Sequence, residues 1–84
     1  MAYFGHASHR IIELGKLAVK IHNQHSPKKL VLVAVLDAKS QIVAGTNYGL
    51  TIVAMDGKAP RLYDALLFQS LIGDIELKSF TPIW

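Results

Sequence analysis

Between residues 8 and 24 the positions Ile11, Leu14, Ala18, Ile21 and His25 recur three or four residues apart, with Leu17 beside them. Arg10, Glu13, Lys16, Lys20 and Asn23 fall on the opposite side. That spacing predicts an amphipathic helix with one stripe turned to a core. Ser8 carries a side-chain oxygen suited to cap its start, and Ser26-Pro27 ends it, because the residue before proline avoids helical dihedrals. Gly15 costs the helix interior about 1 kcal/mol relative to alanine, so it is expected where another element approaches closely.

The pattern then changes. Residues 30–39 form a β-branched run, Leu-Val-Leu-Val-Ala-Val-Leu-Asp-Ala-Lys, that reads as a long strand. Sorted with a period of two, Leu30, Leu32, Ala34, Leu36 and Ala38 share one face, and Val31, Val33, Val35, Asp37 and Lys39 share the other. Further strand runs cover 46–55, 61–68 and 75–80. Separators that contain glycine and aspartate, Asp56-Gly57-Lys58-Ala59-Pro60 and Gln69-Ser70-Leu71-Ile72-Gly73-Asp74, lie between the later ones, as hairpin turns require. One helix followed by consecutive strands on short connections predicts an α+β fold: a helix lying across a four-stranded, or five-stranded, antiparallel meander.

Composition narrows what such a fold can do. With 84 residues the chain is expected to form one domain over 1–84, and 51% hydrophobic against 18% charged residues indicates a folded chain. The absence of cysteine excludes disulfides, thiolate metal sites and cysteine nucleophiles. A net charge of +3 is spread from Arg10 to Lys78 with only Lys28-Lys29 adjacent, and the aromatics are scattered, so a nucleic-acid surface is not expected. The apolar run at 30–36 is far shorter than the roughly 20 residues of a membrane span, and the start lacks the basic-then-apolar order of a leader peptide. No membrane partner is expected, and the compartment is left open between cytoplasm and secretion. Neither Gly-x-Ser-x-Gly nor a glycine-rich phosphate loop is present, so the chain does not read as an enzyme. His6 with His9, or His22 with His25, could bring imidazoles to one helix face, but neither pair has a third ligand at a convincing spacing. No metal or other cofactor is expected.

One feature resists the plain reading. Hairpin tips are normally polar, yet Gln41-Ile42-Val43-Ala44-Gly45 places Ile42 and Val43 at a bend, and Leu71-Ile72 repeats the oddity in the last connection. In a meander, alternate connections share an edge of the sheet. Both apolar tips therefore fall at the same end, where residues 1–7 can join them. A strand that simply continues and bends at Gly45, or cover by neighbouring loops, would explain the apolar tips without function. A wedge for another protein's groove would explain them with one.

At these residues the chain resembles the cystatins, reversible protein inhibitors of papain-like cysteine proteases. Gln41, Val43 and Gly45 match the three fixed positions of the family's Gln-x-Val-x-Gly loop, and Thr46-Asn47-Tyr48 extends the match as in stefins. Leu14-Gly15-Lys16-Leu17-Ala18-Val19-Lys20-Ile21-His22-Asn23 resembles the helix signature of plant cystatins, Leu-Ala-Arg-Phe-Ala-Val-x-Glu-His-Asn. Leu17 replaces an aromatic there and Ile21 a polar residue. Leu62-Tyr63-Asp64-Ala65 and Leu77-Lys78-Ser79-Phe80-Thr81-Pro82 also resemble plant members. The second loop departs from the plant Pro-Trp: Gln69-Ser70-Leu71-Ile72 resembles the stefin Gln-Ser-Leu-Pro, with Ile72 in place of proline. Gly5 stands only shortly before the helix cap, where the family's N-terminal trunk glycine would precede a first strand, so the trunk is shortened or missing.

The resemblance implies a reversible inhibitor whose partner is a papain-like cysteine protease. Its protease-binding residues would be Gly5, Gln41, Ile42, Val43, Ala44, Gly45, Ser70, Leu71 and Ile72. Gln41 would fix the loop base by hydrogen bonding, and Gly45 would allow the tight bend. The alternative is a cystatin-like scaffold without inhibitory activity, favoured by the altered second loop and by the apolar face of Val31, Val33 and Val35. Domain swapping, known in the family, would straighten the first loop into a homodimer, with Val43 expected to strain the monomeric loop; the inhibitory form would be the monomer.

Overall fold

In the computed structural model, which describes residues 2–4 and 8–83, the chain runs β1 (Ala2–Phe4), α1 (His9–Gln24), β2 (Leu30–Val43), β3 (Gly45–Asp56), β4 (Ala59–Gln69) and β5 (Ile75–Ile83). The strands form one antiparallel sheet in the order β1-β2-β3-β4-β5, with α1 packed across one face. The α+β meander is as expected, in its five-stranded form. The addition is β1, whose Ala2 to Phe4 pair with Ser40 to Ala38. A short first strand therefore precedes the helix, where the trunk was expected to be shortened or missing.

Ser8 accepts the Ile11 N–H at 3.3 Å and caps α1. The buried stripe is Ile11, Leu14, Gly15, Ala18 and Val19. His25, expected to continue the stripe, is instead the C-cap after Gln24 and is exposed, because the helix ends before it. Gly15 has the role expected of it. A Cβ built there would lie 2.7 Å from Val35 Cγ2 and 3.4 Å from Leu32 Cδ2, so the missing side chain lets β2 close on the helix.

The face assignment of β2 needs correction. Its register with β3 shifts between Leu32 and Ala34 and again between Val35 and Asp37. Each shift inserts one unpaired residue, and each insertion moves the inward set by one. Leu30 and Leu32 face the core, then Val35, then Ala38 and Ser40; Leu36 is exposed where period-two sorting buries it. The later strands alternate more simply, with Leu50, Ile52 and Ala54 on β3 and Tyr63, Ala65 and Leu67 on β4 all buried against the helix stripe. The helix signature ends in residues that tie α1 down. His22 stacks on Phe80 at 4.2 Å, while Asn23 donates to Leu30 O and accepts from Leu30 N, both at 2.9 Å, which pins the start of β2 to the helix end.

Candidate functional site

The β2–β3 and β4–β5 connections emerge side by side. Thr46 pairs with Gln69, so the roots of both hairpins sit on neighbouring strands at one end of the sheet. The ladder of β2 and β3 runs to the very tip: Gln41 pairs with Asn47, Ile42 with Thr46 and Val43 with Gly45, leaving Ala44 alone at the bend. The strand thus continues through Ile42 and Val43. It also projects, since no loop among the described residues covers it: Ile42 is 85% exposed and Val43 49%. On the second hairpin Leu71 and Ile72 are 84% and 86% exposed. Four large apolar side chains held in water at one edge cost free energy that folding does not recover, the usual mark of a surface made for a partner.

Different devices hold the two tips. Gly45 is buried with φ +120°, a conformation that side chains rarely adopt, and a Cβ there would come within 2.5 Å of Gln69 O and 2.6 Å of Phe68 Cζ. The first tip therefore turns only because glycine lets its backbone lie against the end of β4. Among the described residues positive φ occurs only at glycines, so the left-handed dihedral of the first tip falls on Gly45 and not on Val43. The second tip is a hydrogen-bonded turn, with Ser70 N–H donating to Asp74 O at 2.8 Å and Gly73 N–H to Ser70 O at 3.0 Å. Gly73 has φ +102°, with open space where a side chain would stand.

The remaining sequence-derived residues divide. Gln41 is exposed and makes no side-chain hydrogen bond among the described residues; the loop base is fixed by the ladder instead. Ser70 Oγ is shielded and, among the described residues, has no hydrogen-bond partner. Gly5 lies outside the described residues, though β1 beside Ala38 to Ser40 brings the N-terminal segment along the flank of the first hairpin. Sequence reasoning missed Phe68 and Gln69 as the surface against which Gly45 packs. Counting the β3–β4 register outward from the Gly57-Lys58 turn would have placed them there. A groove of about 600 Å³ between α1 and the start of β2, lined by Val19, Lys20, Leu30 and Val31 among others, lies away from both tips and contributes nothing to this edge.

Residues 6–83 match the family described as aspartic acid proteinase inhibitor, SQAPI. Over 74 residues, 87% of the chain and 90% of its relative, the sequence is 32% identical to cysteine proteinase inhibitor A of Helianthus annuus. The chain belongs to the cystatin family of proteinase inhibitors. It is also 38% identical over 72 residues to cystatin-1 of Zea mays and 34% identical over 74 residues to cysteine proteinase inhibitor 1 of Oryza sativa subsp. japonica. These cover 84% and 87% of the chain but 53% of each relative, so the chain spans about half the length of those two cystatins. Cystatin membership gives the fold a context: the helix signature maps onto the buried Leu14, Gly15, Ala18 and Val19 and onto the tethers His22 and Asn23, and so builds the scaffold. Gln41, Val43 and Gly45 map onto the projecting edge.

Proposed function

We propose that the chain is a reversible protein inhibitor of papain-like cysteine proteases, entering the active-site cleft with its two apolar tips and the N-terminal segment beside them. The observation that carries the reading is the convergence of Ile42, Val43, Leu71 and Ile72, exposed and adjacent, on roots paired through Thr46 and Gln69. Such a wedge needs no activated group. Affinity would come from burying the tips at about 25 cal/mol per Å² of apolar area, less the cost of association. The loop-ordering part of that cost is reduced, because Gly45 and the Ser70–Asp74 hydrogen bond order both tips before any partner arrives. The relatives named cysteine proteinase inhibitors support this protease class.

A second reading is inhibition of an aspartic protease through the same edge, favoured by the family match over residues 6–83 and by Ile72, where neither the plant Pro-Trp nor the stefin proline is kept. In either case the inhibitor would act as a monomer, since a dimer swapped through the first loop would straighten the bend at Gly45. Titrating papain and pepsin separately with the purified monomer tests both readings. Tight, reversible loss of papain activity supports the first, selective loss of pepsin activity the second, and full activity of both enzymes with excess folded protein refutes the wedge.

A further inference from the structure

The first turn of the helix reaches the second tip. Arg10 Nη2 donates to Gln69 Oε1 at 2.8 Å, and the Arg10 guanidinium carbon lies 6.0 Å from the centre of the Tyr48 ring on β3. Gln69 Nε2 in turn donates to Gly73 O at 3.3 Å, inside the turn that carries Leu71 and Ile72. These contacts form a chain from α1 through the last residue of β4 to the bend of the second hairpin. Its chemistry has a direction. Guanidinium is a donor without an acceptor, so its hydrogen bond obliges Gln69 to present the amide oxygen to the helix and the NH2 to the loop. Without Arg10 the Gln69 amide keeps only its bond to Gly73 O, and its oxygen loses the anchor on the helix. Gln69 O is also the backbone atom against which Gly45 packs, so the same residue lies at the root of the first tip.

From this geometry we infer that Arg10 is a positioning residue for the inhibitory edge: through Gln69 it holds the 70–74 turn in one conformation and so fixes where Leu71 and Ile72 project. The inference rests on the wedge reading for its consequence in inhibition, but the ordering of the turn is a property of the free protein. The link is solvent-exposed, so the expected effect is one charge-assisted hydrogen bond, about three- to tenfold in affinity, appearing mainly in the dissociation rate.

Arg10→Met, Gln69→Met, the double variant and Arg10→Lys are compared by amide hydrogen exchange in the free protein and by dissociation from papain. The Ser70 and Gly73 amides, whose hydrogen bonds close the turn, should exchange severalfold faster in both single variants and no faster still in the double, with Arg10→Lys intermediate because an ammonium lacks the planar fork. Amides in the middle of α1 should be unaffected. Dissociation should quicken by the same non-additive pattern. Unchanged exchange at Ser70 and Gly73 in Arg10→Met overturns the inference. Faster dissociation in Arg10→Met with none in Gln69→Met also overturns it, since it would mean that Arg10 touches the protease directly. If the parent protein inhibits neither papain nor pepsin, the wedge reading fails, while hydrogen exchange still decides whether Arg10 orders the turn.

Discussion

The two hairpin tips carry the same chemistry on different supports. Each exposes two large aliphatic side chains, and each turns at a glycine with positive φ. Gly45 is enclosed by Gln69 O and the Phe68 ring, so its neighbours as well as its dihedral forbid a side chain, whereas the space around Gly73 is open. The first tip is a strand ladder bent sharply against its neighbour; the second is a short turn closed by its own hydrogen bonds. Rigidity of the first therefore depends on long-range packing and that of the second on local bonding. Shape at a binding edge can be set from either source.

Placing the same residue at both glycines gives the largest contrast. Gly45→Ala should destabilise the fold by about 3 kcal/mol or more, because backbone strain and overpacking each contribute on the order of 1–3 kcal/mol. Urea unfolding measures this, and removing the ring with Phe68→Ala should restore only part of the loss, since the Gln69 carbonyl would remain in the way. At the far end of the helix, Asn23→Ala deletes both side-chain bonds to the Leu30 backbone and should cost about 2 kcal/mol by the same assay, within the range for groups left unsatisfied. Inhibition by the folded fraction should be unaltered there, which separates scaffold from edge. Gly73→Ala meets no neighbour and should cost about 1 kcal/mol, the dihedral penalty alone.

The smallest effect concerns pH. Burial against Phe80, and then the nearby Lys29 ammonium, hold the His22 pKa below its ordinary value. The unfolded chain takes up a proton near pH 6.5 that the folded chain still refuses. Stability should therefore be level above about pH 6.5, decline as pH falls from there through the lowered pKa, and become level again below it. Unfolding of His22→Gln compared with the parent over this range should show that part of the slope removed.

Much of this architecture is legible in the order of residues. Ser8 and Pro27 bracket the helix, Gly15 announces a close approach, and two apolar runs in hairpin connections mark the edge. What escapes is decided by pairing between strands. The insertions at Val33 and Leu36 have no local signal, because both residues suit a regular strand, yet they put Val35 inside and Leu36 outside. The three residues of β1 are too short to show a period and gain their strand conformation from Ala38 to Ser40. Gln69 reads as an ordinary turn flank; its place between Arg10 and Gly73 arises only once helix and sheet are packed.

The claim that the apolar tips are the working surface is tested most directly by an Ile42→Ser, Leu71→Ser double variant assayed against papain beside the parent. Both side chains are exposed, so stability should be unchanged, while the inhibition constant should weaken by roughly a hundredfold, as when interface anchors are truncated. A double variant that inhibits as well as the parent would contradict the account.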